Sequence, residues 1–166
     1  HGSAAVSTSG LNKGKISYLP DPNYFSGAVD SFTYVVNDGQ GAGNSVSNTA
    51  TVFITVNPVN DSPVAQPGTL SAAEESPTAG TLSATDVDNA ALTYSLVNTA
   101  NAHGTVTITN PATGAYTYTS DLNYNGAASF TFKANDGSLD SNTATGNLTV
   151  AAINEPPVTH DHLAGG

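Results

Sequence analysis

Two aspartates one residue apart, with an asparagine directly after them, could bind a divalent cation. Asp86 and Asp88 supply carboxylates and Asn89 supplies an amide, all within one turn. Calcium takes six to eight oxygen ligands from such groups, so this spacing predicts a calcium site. Asn60 and Asp61 lie in the linker just before this part of the chain. The alternative is an ordinary turn, in which Asp and Asn side chains accept hydrogen bonds from nearby backbone N–H groups.

The sequence lacks the patterns of common catalytic sites. No serine stands in a Gly-x-Ser-x-Gly segment, and the carboxylates are scattered over turns without an evident acid–base pair. There is no cysteine, which excludes disulfides and Cys-based zinc sites. There is no tryptophan, and Tyr34, Tyr116 and Tyr118 fall in phase with the core, which weakens a sugar-binding interpretation. We therefore expect no enzyme, no catalytic residues and no organic cofactor.

The charge balance is strongly acidic. Thirteen Asp and Glu residues against three Lys give a formal net charge of −10. Nucleic-acid binding needs a basic footprint, and anionic lipid attracts basic segments, so we expect neither partner. No apolar run approaches the roughly 20 residues of a membrane helix, and we expect no membrane insertion. An acidic surface of this kind suits divalent cations or solubility.

The chain contains the same series of short segments twice. The offset between equivalent segments begins at 100 residues and falls to 94. A unit of this length exceeds a solenoid repeat of roughly 20–50 residues and matches a sandwich domain of roughly 100. The first copy holds only the part equivalent to about His103 onward, and His103-Gly104 matches His1-Gly2. The equivalent segments are 23–24, 31–34, 37–39, 48–51 and 60–63 in the first copy, and 123–124, 129–132, 135–137, 142–145 and 154–157 in the second.

The strongest strand signals alternate apolar and polar residues, which places one set of side chains on one face. About seven short strands in one unit, separated by Asn-Asp-Gly and Asn-Pro turns, predict an all-β, immunoglobulin-like two-sheet sandwich. Two such sandwiches would stand in tandem, with the first incomplete. The expected strands are 15–18, 31–36 and 48–56 in the first copy, and 92–97, 105–108, 115–118, 129–134 and 141–153, with others near 64–73 and 80–84, in the second.

The second copy carries a characteristic order of motifs: residues 114–119 (GAYTYT), 121–126 (DLNYNG), 129–132 (SFTF) and 135–137 (NDG), then an Asn-(Asp/Glu)-x-Pro linker. These motifs resemble the cadherin-like tandem repeats of large bacterial surface proteins of the RTX and VCBS type. The resemblance implies a cadherin-like sandwich. The corresponding domains are 1–60, the C-terminal part of a repeat; 61–157, a complete repeat; and 158–166, the start of another repeat or a tail.

The resemblance also implies calcium ligands. In cadherin-like modules, linker Asn and Asp residues share calcium ions with an Asp-x-Asp of the following domain. The pattern has a further acidic ligand where Glu74-Glu75 stands, and this ligand could pair with the Asn154-Glu155 linker. Both linkers carry fewer acids than the full cadherin linker. The implied ligands are Asn60, Asp61, Asp86, Asp88, Glu75, Asp38 and Asp136.

Three functions remain open at this point. The first is a structural or adhesive repeat of a secreted or cell-surface protein, stiffened by calcium and flanked by neighbouring repeats. The second is a carbohydrate- or protein-binding module that uses loops at one end of the sandwich. The third follows from the incomplete first copy, since half a core and an unpaired strand edge favour strand donation from another copy, as in a fibre. The alternative to donation is an arbitrary cut through a longer repeat array.

Overall fold

In a computed structural model of the chain, the described residues are 1–25, 29–39 and 45–154. They consist of β-strands joined by turns, with a single 3-10 turn at Gly10–Asn12. The chain separates into two compact units, His1–Asn60 (unit 1) and Asp61–Gly166 (unit 2). Within the described ranges, no helix is long and apolar enough to cross a membrane. The all-β class expected from the alternating pattern is confirmed.

The described part of unit 1 consists of two antiparallel hairpins. The first pairs β1 (Gly2–Val6) with β2 (Ile16–Pro20), and the second pairs β3 (Asp30–Tyr34) with β4 (Ala50–Ile54). Every second residue of β2 and β4 is half-buried and the residues between are exposed, as period-two alternation requires. The rings of Tyr18 and Phe32 stack with their centroids 6.5 Å apart, so the two hairpins contact each other.

The described residues of unit 2 form three sheets. A four-stranded sheet has the order β6-β13-β12-β9, a three-stranded sheet has the order β10-β11-β7, and β5 pairs with β8. All pairs are antiparallel except β13 with β6. The strands are β5 (Val64–Gln66), β6 (Gly68–Ala73), β7 (Thr78–Thr81), β8 (Ser83–Thr85), β9 (Thr93–Asn98), β10 (Gly104–Asn110), β11 (Ala115–Ser120), β12 (Gly126–Asn135) and β13 (Ala144–Ala151).

Aromatic side chains of β11 and β12 form the centre of the core in unit 2. Tyr118, Phe130 and Phe132 are 0%, 2% and 1% exposed. The Tyr116 ring meets the Phe130 ring edge-on at a centroid distance of 5.2 Å, a favourable aromatic geometry. The Tyr118 hydroxyl donates to the Ala102 carbonyl at 2.8 Å. Burial raises the pKa of Tyr118.

Two segments expected to be continuous strands are each divided in two. Pro67 separates β5 from β6, because proline has no N–H to donate and the chain changes its partner from β8 to β13. Leu82 separates β7 from β8, and its N–H donates to the Gly114 carbonyl at 2.9 Å. The described part of unit 2 therefore has nine strands, rather than about seven, because two strands switch sheets.

A glycine in β13 makes room for the core. The Phe130 ring occupies the space that a Cβ at Gly146 would need, whereas Gly68, directly opposite on β6, has no atom within 4 Å of its Cβ position. We expect Gly146→Ala to lower the free energy of unfolding by about 1–3 kcal/mol through overpacking. Urea denaturation of Gly146→Ala and of the matched control Gly68→Ala would check this. Equal midpoints for the two variants would contradict it.

Candidate metal centre

The residues that link β8 to β9 form a turn around one carboxylate. Oδ1 of Asp86 accepts hydrogen bonds from the backbone N–H groups of Asp88 at 2.7 Å and Asn89 at 2.8 Å. This is the Asx-type turn that the sequence offered as the alternative to a metal site. The turn holds both aspartates and the asparagine within a few residues, so a structural role and a ligand role do not exclude each other.

Two further predicted ligands join this turn through hydrogen bonds. The backbone N–H of Asp61 donates to Oδ2 of Asp88 at 2.6 Å. Nδ2 of Asn89 donates to the backbone carbonyl of Asp136 at 3.0 Å. Asp136 follows β12 directly, and Asp61 precedes β5. Four of the seven predicted ligands thus belong to one hydrogen-bonded group, which we call the entry cluster: Asp61, Asp86, Asp88 and Asp136.

The entry cluster has the donor chemistry that a hard cation prefers. Oδ2 of Asp86 is buried, and no hydrogen-bond partner for it lies within the described residues. Burying an ionised carboxylate oxygen without a partner is costly, and a calcium ion would supply the missing positive charge. Across the described ranges, no three His, Asp or Glu side chains converge on a point that could hold a metal ion. The residue types fit calcium, and binding would require these side chains to turn toward a shared ion.

Asp38 and Asn60 belong to unit 1. Asp38 follows β3 in an Asn-Asp-Gly turn, and its backbone N–H donates to the Ser45 carbonyl at 3.0 Å. Gly39 completes the turn, with its N–H donating to Oδ1 of Asn37 at 2.7 Å. Asn60 is the last residue of unit 1. Their assignment as calcium ligands stays a prediction.

Glu75 lies at the opposite end of unit 2 from the entry cluster. Asp136 follows the end of β12, whereas Glu75 follows β6, which ends beside the last residue of β13. The backbone N–H of Glu75 donates to Oγ of Ser120 at 2.9 Å, and its Oε1 accepts the N–H of Asn123 at 3.1 Å. The carboxylate of Glu75 is therefore used to hold a turn. Its proposed companion Glu155 lies outside the described residues.

The neighbouring Glu74 is the more deeply buried carboxylate. It is 4% exposed, and its Oε1 accepts the backbone N–H of Ile153 at 2.6 Å. Its Oε2 is buried, and the described part of the chain offers it no hydrogen-bond partner. Glu74 has the same phase as Leu70 and Ala72 of β6, which face the core. That period-two signal could have favoured Glu74 over Glu75 from the sequence.

Asp140, in contrast, already forms an ion pair with Lys133. The amine of Lys133 bonds its carboxylate at 2.5 Å, and Nδ2 of Asn135 donates to it at 2.8 Å. The bond from Lys133, followed by that from Asn135, lowers the pKa of Asp140. This carboxylate is thus less suited to metal binding than those of the entry cluster.

Comparison with protein families gives a match over most of the chain. The bacterial cadherin-like domain model matches residues 60–152. The bacterial Ig domain model matches residues 1–55. No curated protein sequence matches the chain.

Solved structures with a similar fold include cadherin and protocadherin repeats. Repeats EC1-2 of human mucin-like protocadherin have a TM-score of 0.53 at 18% identity, over 92% of this chain and 85% of that structure. Repeats EC22-24 of mouse cadherin-23 have a TM-score of 0.57 at 25% identity, over 90% and 50%. The EC3-6 cis-dimer structure of protocadherin gammaB7 gives 0.57 at 19% identity, over 91% and 41%. The chain thus spans half or less of the latter two.

The two oxygens of Glu74 allow its structural and charge roles to be separated. We expect Glu74→Ala to lower the free energy of unfolding by about 1–3 kcal/mol in metal-free buffer, because the N–H of Ile153 loses its acceptor. Glu74→Gln keeps that acceptor and removes a buried charge, so it should be at least as stable as the parent. Thermal unfolding in chelator measures both. An equal loss in both variants would show that the charge itself is required.

Proposed function

Because the chain belongs to the bacterial cadherin-like domain family, we propose that it is a structural or adhesive repeat of a secreted or cell-surface bacterial protein, stiffened by calcium. The observation that carries the calcium proposal is the entry cluster. It gathers four aspartates, and one of them, Asp86, keeps a buried oxygen for which the described residues provide no hydrogen bond. Tandem cadherin repeats as structural neighbours support a role among adjoining repeats.

The carboxylates of the entry cluster would hold the ion. Asp86 and Asp88 would each supply an oxygen, and Asp61 and Asp136 complete the set of acidic donors. Calcium would supply positive charge to these carboxylates once they turn toward a shared ion, and its flexible coordination tolerates irregular ligand positions. Asn60 adjoins Asp61 in the sequence and would add an oxygen ligand. Asp38 would be the calcium ligand in unit 1 that corresponds to Asp136 in unit 2. Glu74, with Glu75 beside it, would contribute at the opposite end.

Stiffening is supported by the way the linker enters unit 2. Asp61 is bonded to the turn at Asp88, and Pro63 is fully buried. Ala65 is held by both ends of the Asn142 amide, which accepts its N–H at 2.9 Å and donates to its carbonyl at 3.1 Å. Proline also restricts the backbone of the linker. A cation bound by Asp61 and Asp86 would further restrict the linker segment before β5, which these contacts already hold in place.

Calcium titration tests this proposal. We expect saturating calcium to raise the melting temperature of unit 2 by several degrees and chelator to reverse the rise. A ligand at a hundred times its Kd stabilises by about 2.7 kcal/mol. Differential scanning calorimetry of the full chain, with magnesium as the ionic-strength control, measures the effect.

Asp86→Asn separates the two roles of the entry cluster. The asparagine retains an Oδ1 that can accept the N–H groups of Asp88 and Asn89, but it loses the anionic ligand. We expect native stability in chelator and loss of the calcium response. The matched control is Asp121→Asn, which removes an equal charge from an exposed residue outside the cluster. A parent chain without a calcium response, or an undiminished response in Asp86→Asn, would refute the calcium part of the proposal.

A further inference from the structure

A small cavity, which we call the slot, lies in unit 2 between the points where two strands change their sheet. Pro67 lies at the first of these points and Leu82 at the second, and both line the slot. Phe132 and Gly146 line it from the four-stranded sheet, and Tyr116 lines it from the three-stranded sheet. The slot therefore reaches the interior between the sheets.

A core-facing position of β6 carries no side chain at the slot. Gly68 has the same phase as Leu70 and Ala72, which contribute to the core. A Cβ at Gly68 would meet no atom within 4 Å, and the φ of this residue lies outside the left-handed region. At Gly80, on the wall formed by β7, the Tyr116 ring fills the space that a Cβ would take. The chain thus leaves empty a position that an ordinary strand residue could fill.

The hydroxyl of Tyr116 is a buried polar group at the slot. Tyr116 is 5% exposed, and the end of its ring, with the hydroxyl oxygen, lies against Gly80. Among the described residues this hydroxyl has no hydrogen-bond partner, in contrast to that of Tyr118, which donates to Ala102. Burial alone raises the pKa of Tyr116. Because buried tyrosine hydroxyls usually have a partner, this donor indicates that the slot holds a hydrogen-bonding group.

The size and lining of the slot restrict that group. Its volume is about 80 Å³, whereas a single water needs about 10–15 Å³ of such space. None of the residues that line the slot is charged, so an ion buried there would lack a counter-charge, which is costly. The slot thus fits a small neutral group with an apolar and a polar part. The exposed lining residues include four with amide or hydroxyl side chains: Gln66, Thr69, Thr81 and Ser83.

We propose that the slot binds the acetamido group of an N-acetylated neutral sugar. The methyl would lie against the rings of Tyr116 and Phe132, and the carbonyl oxygen would accept a hydrogen bond from the Tyr116 hydroxyl. The sugar ring would stay outside, where Gln66 and Thr81 offer partners for its hydroxyls. The net charge of −10 disfavours acidic sugars, which agrees with a neutral ligand. This role goes beyond the calcium proposal and does not depend on it, since no residue of the entry cluster lines the slot.

Titration of the full chain with N-acetylglucosamine tests the proposal, and glucose, which lacks the acetamido group, is the matched control ligand. We expect N-acetylglucosamine to cause saturable shifts of the backbone amide signals of Gly68, Gly80 and Gly146 in heteronuclear NMR spectra. Glucose at the same concentrations should leave these signals unchanged. The titration is run in chelator, so that calcium binding at the entry cluster does not contribute.

Two substitutions separate the slot from the rest of the fold. Gly68→Val fills it with a strand-favouring side chain, so we expect loss of binding with an unchanged or higher melting temperature. Its control is Ser71→Val on the exposed face of the same strand, which should bind as the parent does. Tyr116→Phe removes only the hydroxyl and should weaken binding about tenfold through the lost hydrogen bond. Its control is Tyr94→Phe, which lies outside the slot.

Four results would overturn the proposal. The first is equal shifts with glucose, and the second is undiminished binding in Gly68→Val or Tyr116→Phe. The third is tighter binding of N-acetylglycinamide than of the sugar, which would make an acetylated peptide the occupant. The fourth is an absence of shifts together with a crystal structure, grown with the sugar, in which the slot contains only ordered water bonded to Tyr116.

Discussion

The closed sandwich depends on one interaction, the packing of aromatic side chains from β11 and β12 in a common core. Tyr118, Phe130 and Phe132 are almost completely buried, and burial of each such side chain contributes about 1.5–3 kcal/mol. The Phe130 ring lies where a Cβ at position 146 would be, so only glycine fits there without a shift of the ring. The hydroxyl of Tyr118 ties this core to the turn at Ala102. The four-stranded sheet, the three-stranded sheet and the turn that joins β9 to β10 therefore meet at one cluster.

Comparison of the two units shows that burial depends on partners as well as on residue type. Phe32 and Phe130 occupy the same position in equivalent strands, yet only Phe130 is removed from water. The outer faces have diverged as well. Where unit 2 has the ion pair of Lys133 with Asp140, unit 1 has Val35 and Val46, each about half-exposed. The repeat pattern thus determines where a side chain lies in the fold. Its contribution to stability depends on which neighbouring strands cover it.

Most of the fold could be predicted from the sequence because period-two alternation and the internal repeat are local and redundant signals. These signals predicted the aromatic strands, the sandwich class and the correspondence between segments of the two copies. The divisions at Pro67 and Leu82 did not, because they arise when a strand changes its sheet partner, which is a tertiary event. Glu74 differs from Glu75 in a local signal, because only Glu74 is in phase with the core-facing Leu70 and Ala72 of β6. Their roles are decided by whether the side chain faces Ile153 or Asn123 across the end of the sheet.

The candidate ligands could be grouped from their spacing in the sequence. The different surroundings of the two oxygens of each carboxylate could not be predicted from it. Asp86 organises its turn with one oxygen and buries the other, for which the described residues provide no hydrogen bond. Glu74 repeats this arrangement at the far end of the sheet, with one oxygen on Ile153 and the other buried. A carboxylate fixed by one oxygen has already lost side-chain entropy on folding. Both carboxylates lie at the ends of unit 2, Asp86 in the turn that binds Asp61 and Glu74 beside Ile153.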